Sequence, residues 1–285
     1  MWELPEEPAS VALSPDASLI AVGFASGTLR GYDRDTGAER AVVQKAHGSD
    51  IQRLSFNATG TLLASASFDK TAKLWQIERT PTSLTLTLLH TLEDHKAEVH
   101  AVALAPDGRT LATAGYDGQV GLFDVETGKG ELFKAHDDRV TNVAFTPDNQ
   151  KLLSAGIRDL TIRLWDLTTR PPQPSNIAKA QDRLLWATLR PDGRQLAAVG
   201  REQVVTLYDL GPEPAEPRRL VGHESTVYRA IYSPDGHQLA TVGGDMTIRL
   251  WDLDNHRLLF TLRLPELQEN VGPWDFDFQC TGGDR

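Results

Sequence analysis

Histidine, hydroxyl and carboxylate side chains recur together along this chain: His47, Ser65 and Asp69; His95, Thr113 and Asp117; His136, Ser154 and Asp159; His223, Thr241 and Asp245. Held within hydrogen-bond reach, such a trio can run nucleophilic catalysis, the imidazole drawing a proton from the hydroxyl while the carboxylate orients the ring. An enzyme normally assembles that trio once, around one substrate. Four copies therefore favour a structural role over a catalytic one. The four histidines fall in four different repeats, which argues against their meeting on one metal ion. Other signatures of chemistry are missing from the sequence. It has no G-x-x-x-x-G-K phosphate loop and no G-x-S-x-G elbow, and His223-Glu224 starts an H-E-x-x-H metal motif that Val227 ends. Asn57-Ala58-Thr59 fits a glycosylation acceptor and reads as a plain turn. No catalytic residue, metal or cofactor is expected.

The elements that must position these groups follow from internal repetition. A Pro-Asp turn recurs at Pro15, Pro106, Pro147, Pro191 and Pro234, with Ala58 at the matching place in the remaining copy; successive gaps are 43, 48, 41, 44 and 43 residues. An aromatic keeps step with it: Tyr32, Trp75, Phe123, Trp165, Tyr208 and Trp251, followed by Asp in all but Trp75-Gln76. Six units result. Within each, runs rich in Val, Ile, Leu, Thr and aromatics are punctuated by Pro and Gly, and no segment has the 3.6-residue apolar period of a long helix. The sixth unit predicts strands over 227–232, 238–242, 247–252 and 257–263. One four-stranded unit cannot bury both faces alone, so an all-β propeller of face-to-face blades is expected.

Composition bounds the rest. The chain has 285 residues, 40% apolar and 24% charged, enough for a large core. A net charge of -10 argues against a general nucleic-acid binder, which needs clustered Lys and Arg. Cys280 is the single cysteine, so no intramolecular disulfide forms. Glu3, Glu6 and Glu7 stand where a signal peptide would be basic, and no apolar stretch approaches the roughly 20 residues that cross a bilayer. A cytoplasmic location, with no membrane partner, is the expectation.

These repeats resemble the tryptophan–aspartate (WD) repeat propellers over roughly residues 8–263. The family mark is a His before the first strand, a Ser or Thr in the second, an Asp in the next turn and a Trp in the third. Units two and six carry it with identical spacing, 22 residues from His to Asp and 6 from Asp to Trp: His47, Ser65, Asp69, Trp75 and His223, Thr241, Asp245, Trp251. Unit three has His95, Thr113 and Asp117 with Phe123 for Trp; unit four has His136, Ser154, Asp159 and Trp165 with one extra residue at Ile157-Arg158. The four groups can form a buried relay, indole to hydroxyl to imidazole to carboxylate, that satisfies each polar group away from water. Units five (Ala180, Ala198, Glu202, Tyr208) and one (Leu4, Val22, Ser26, Tyr32) cannot build it.

The resemblance implies one domain over 1–285, with blades over about 8–44, 51–91, 99–133, 140–179, 184–220 and 227–263. Trp274, Phe276, Phe278 and Cys280 alternate as the inner strand of a partial seventh blade, 273–280, and a sequence continuing past Arg285 is expected. The Pro-Asp-Gly-Arg turns read as bacterial, where such propellers serve as sensing or assembly modules of larger signalling proteins. The expected function is a non-catalytic protein-interaction scaffold; the alternative is a hydrolase using the central funnel, which would need two or more acidic or His side chains converging within about 5 to 9 Å at the funnel mouth. By resemblance, the partner-facing residues are Phe68, Tyr116 and Arg158 before the turn Asp, Arg201 at the matching place, and Glu98, His100, Arg139, Arg183 and Tyr228 beside first strands. Arg139, Arg158, Arg183 and Arg201 would select an acidic peptide or protein, unless they are ordinary solvated side chains.

Overall fold

The computed structural model describes residues 4–80, 83–180, 182–211 and 215–264. Every regular element in it is a β-strand, and the strands form six four-stranded sheets. The chain divides into two compact units, Met1–Phe145 and Thr146–Arg285.

In the first unit, sheet one is β1 (Pro8–Leu13), β2 (Leu19–Phe24), β3 (Leu29–Asp33) and β4 (Glu39–Val43). Sheet two is β5 (Ile51–Phe56), β6 (Leu62–Ser67), β7 (Ala72–Arg79) and β8 (Leu84–Leu92), and sheet three is β9 (Val99–Leu104), β10 (Thr110–Gly115), β11 (Gln119–Asp124) and β12 (Gly130–Lys134). β13 (Val140–Phe145) ends this unit. The second unit begins with β14 (Lys151–Gly156), β15 (Thr161–Asp166) and β16 (Gln173–Lys179). Sheet five follows as β17 (Leu184–Leu189), β18 (Gln195–Gly200), β19 (Val204–Asp209) and β20 (Arg218–Val221). Sheet six is β21 (Val227–Tyr232), β22 (Gln238–Gly243), β23 (Thr247–Asp252) and β24 (Arg257–Arg263). The expected partial strand at 273–280 lies outside the described residues.

The recurring Pro-Asp turn has a physical reason beyond proline's fixed φ. In sheet six, Ser233 donates its hydroxyl to Asp235 (2.5 Å) and accepts the Gln238 amide (2.9 Å), Asp235 accepts the His237 amide, and Gly236 supplies φ 75°. Ser14 with Asp16 and Thr146 with Asp148 repeat this bracket. Sheet two builds the turn from Asn57, whose carbonyl accepts the amides of Thr61 and Leu62, both at 2.9 Å. Asn57 is thereby buried in its own turn.

Sheets pair through apolar faces of alternating residues. Ala12, Leu19, Ala21 and Leu29 of sheet one pack on Leu54, Leu63, Trp75 and Ile77 of sheet two. Sheet two offers Ala64, Ala66 and Leu74 to Val102, Leu111 and Phe123 of sheet three. In the second unit, Ala197, Val199, Val205, Leu207 and Leu220 of sheet five meet Ala230, Tyr232, Leu239 and Trp251 of sheet six. Fully burying each large side chain stabilises by about 1.5 to 3 kcal/mol, so these faces rather than the turns carry the fold.

Candidate functional site

The hydroxyl of the second strand lies inside its sheet, where the third-strand aromatic and the pre-strand histidine both reach it. In sheet six, Trp251 Nε1 donates to Thr241 Oγ1 (2.9 Å), Thr241 lies 2.8 Å from His223 Nε2, and His223 Nδ1 lies 2.9 Å from Asp245. A carboxylate only accepts, so Nδ1 carries the ring hydrogen and Nε2 accepts from Thr241. Sheet two repeats the chain with Trp75 to Ser65 at 2.9 Å, Ser65 to His47 at 2.7 Å and His47 to Asp69 at 3.0 Å. In sheet three, Thr113 to His95 is 2.7 Å and His95 to Asp117 is 3.0 Å, while Phe123 packs without donating. In the second unit Trp165 donates to Ser154 at 2.8 Å and Asp159 accepts the Thr161 amide; His136 belongs to the first unit, fully buried.

The electrostatics fit a neutral imidazole. Burial pushes the pKa values of His47 and His223 below the ordinary 6.5 despite the adjacent aspartates. Burial alone would raise Asp245, but the Thr247 hydroxyl, the Glu224 amide and His223 hold it at about 2. Asp117 sits at about 2 for similar reasons, and Asp69 well below the carboxylate range. Two kinds of relay residue escape the sequence reading. Thr71 and Thr247, two positions after the aspartate, each donate their hydroxyl to it at 2.7 Å; the Asp-x-Thr spacing was the available signal. Gly115 and Gly243 give the histidine room, since a Cβ at either would collide with the imidazole Nδ1 and the aspartate.

Sheets one and five fill the same places differently. In sheet one Arg30 bridges Glu6 at 2.8 Å and Glu39 at 2.5 Å, and Ser26 donates to Glu6. Tyr32, in the aromatic position, is buried with its hydroxyl unpartnered among the described residues. In sheet five, Ala180, Ala198, Glu202 and Tyr208 line a cavity of about 20 Å³, room for roughly one water. Glu202 accepts the Asp182 amide at 3.1 Å and pairs with Arg219 at 3.4 Å.

The expected partner-facing residues separate into two groups. In the first unit, Phe68, His100 and Tyr116 come together: ring centroids lie 5.9 Å apart for Phe68–Tyr116, 6.4 Å for Phe68–His100, and 5.2 Å for the stacked His100–Tyr116 pair. Arg139 lies over the Tyr116 ring at 4.5 Å, and the Glu98 carbonyl accepts the Tyr116 amide at 2.8 Å. His100 is 3.0 Å from the Thr141 carbonyl. In the second unit Arg158, Arg183 and Arg201 are exposed and Tyr228 is half-buried. The Arg201 amide donates to the Arg183 carbonyl at 3.0 Å, and the adjoining Asp182 and Glu202 put acidic groups in the same loops.

The WD domain, G-beta repeat pattern matches residues 39–76, 86–124, 129–166 and 216–252. Each match ends on the third-strand aromatic and its neighbour, and the stretch 167–215, which holds β17–β19 and lacks the relay, goes unmatched. Pre-mRNA-processing factor 19 of Oryza sativa subsp. japonica is 29% identical over 175 residues, covering 60% of this chain and 31% of that protein. WD repeat-containing protein 1 of Xenopus tropicalis is 31% identical over 213 residues (59% of this chain, 35% of the relative). The poly(A)+ RNA export protein of Schizosaccharomyces pombe is 28% identical over 153 residues (52% and 42%). The chain thus spans about a third of the length of the first two curated relatives. All three are eukaryotic and lend no support to the bacterial origin expected from the turns. With four repeat matches over sheets of four antiparallel strands, the chain belongs to the WD40 (WD domain, G-beta repeat) family, and its sheets are blades of the WD-repeat β-propeller type.

Proposed function

We propose that the chain is a non-catalytic platform for protein or peptide partners, acting as an assembly or sensing module within a larger protein. One observation carries this reading: the apparent triad groups are consumed by one another. Ser65 and Thr241 are fully buried under an indole donor, both nitrogens of His47 and His223 are engaged, and the aspartates are filled by amide and hydroxyl donors. A hydrolase would need a hydroxyl and a base open to substrate. One of the relatives, WD repeat-containing protein 1, is named for such repeats.

The Phe68–His100–Tyr116–Arg139 cluster is the favoured contact, because half-buried aromatics capped by an arginine suit a binding hot spot. Its cation favours an acidic partner, and the net charge of -10 disfavours nucleic acid. Arg158, Arg183, Arg201 and Tyr228 extend the proposal to the second unit. A cytoplasmic setting belongs to it too, in keeping with the single cysteine. The test is binding to an acidic peptide library at low salt, comparing the native chain with Tyr116→Ser, Arg139→Glu and with Arg158→Glu, Arg201→Glu. Loss in the first variant supports the cluster. Undiminished affinity in both would discard the loop face.

A further inference from the structure

Four of the nine exposed large apolar residues among those described lie in one strand, β24: Leu258 (39% exposed), Leu259 (39%), Phe260 (55%) and Leu262 (51%). All seven residues of this strand are exposed. The blade before it shows what these positions do when covered. Leu262 pairs across from Ile248 as Leu220 pairs across from Val205, so the two leucines hold equivalent places on equivalent faces. Leu220 is 4% exposed beneath sheet six, against 51% for Leu262. Phe260, opposite Leu250, continues the bare face.

β24 is also the end strand of its sheet, so one row of its amides and carbonyls has no ladder partner among the described residues. Charge frames the apolar run. Arg257 and Arg263 bracket it; Arg257 touches Asp252 only at 3.4 Å with 68% of its side chain exposed, and neighbouring Arg218 meets His256 at 2.7 Å and Asp209 at 3.8 Å. Within β24 itself these two arginines are the only charged residues, in a chain of net charge -10. A second copy is a poor match, because antiparallel self-pairing centred on Phe260 sets Arg257 opposite Arg263 of the copy, and like charges directly opposed destabilise a ladder.

We propose that β24 is a docking strand for an extended partner segment with an apolar centre and acidic residues at both ends, joined by strand addition. The partner's main chain fills the open ladder, its apolar side chains cover Phe260 and Leu262, and its terminal carboxylates meet Arg257 and Arg263. None of the loop residues proposed above takes part.

The test uses the native chain and a labelled synthetic peptide, Asp-Asp-Val-Thr-Val-Thr-Val-Asp-Asp, beside a counterpart with Lys for Asp. The Asp peptide should bind and slow amide exchange in β24. Arg257→Glu, Arg263→Glu should weaken it roughly tenfold or more and transfer preference to the Lys peptide. Phe260→Thr, Leu262→Thr should abolish binding while melting stays unchanged, since both sites are exposed. Absence of binding, equal affinity for the two peptides, or protection outside β24 overturns the proposal. A concentration-dependent dimer that Phe260→Thr dissolves also overturns it, in favour of a second copy.

Discussion

Blades five and six stand side by side in the same unit, share one strand order, and differ in the chemistry at four corresponding positions. Blade six joins Trp251, Thr241, His223 and Asp245 by hydrogen bonds; blade five has Tyr208, Ala198, Ala180 and Glu202 around a small void. Both still stack through one apolar cluster. The four-stranded sheet and its face therefore need no relay. What the relay adds is a tie from the loop entering the first strand to the middle of the sheet, which in blade five is left to the Asp182 amide and the Glu202 carboxylate.

The widest separation between the two blades should come from the aromatic position. Trp251→Ala removes a side chain 3% exposed, together with the indole donor to the Thr241 hydroxyl, with an expected cost of about 3 to 5 kcal/mol in urea unfolding. Tyr208→Ala, at a half-buried site beside an existing void, should cost clearly less. Equal losses would mean that the relay contributes nothing beyond packing.

Next come the relay's own members. His223→Ala takes the acceptor from the buried Thr241 hydroxyl and one of several donors from Asp245, for roughly 1 to 3 kcal/mol, and Gly243→Ala should fall in a similar range by forcing the imidazole aside. Gly211→Ala, where an added Cβ meets nothing within 4 Å, is the neutral control.

Acid should sharpen the contrast. His47 and His223 favour the neutral form in the folded chain, so their contribution is complete above the ordinary 6.5 and declines as pH falls through their lowered values. Asp245 contributes fully above 3.8 and loses its share as pH drops toward about 2. Melting temperature should therefore fall on acidification below about pH 6.5, and His223→Ala should flatten part of that slope. The smallest effect is expected for Glu202→Gln, at most about 1 kcal/mol, since Arg219 is 49% exposed at that pair.

The strands and relay were legible because both rest on short-range rules: turn residues at a fixed offset, and spacing that places a hydroxyl and an indole on adjacent strands. The Asp-x-Thr donors are visible in the sequence too, since Asp69-Lys70-Thr71 and Asp245-Met246-Thr247 repeat them. The Glu6–Arg30 pair of sheet one is not legible in the sequence, because the two residues are 24 apart and nothing local pairs them. In the arginine loops, Asp182 and Glu202 adjoin Arg183 and Arg201 in the sequence, but that the two loops meet, 18 residues apart, through the Arg201 amide and the Asp182 amide is not legible there. The stacking of His100 on Tyr116 depends on how the turn after β10 folds back beside the start of β9, which the spacing of the repeat does not contain.

The matched repeat 39–76 begins in β4, the outer strand of one blade, and runs through β5–β7 of the next. His47 lies on the crossing between them, held to Ser65 in the middle of the second sheet. A load applied to either sheet is therefore passed to the other through a clasp at the crossing, not through a slack connector. Fraying of β4 and loss of order in β6 should occur as one event, with matching opening free energies in hydrogen exchange, whereas Ser65→Ala should let the two blades come apart in separate steps.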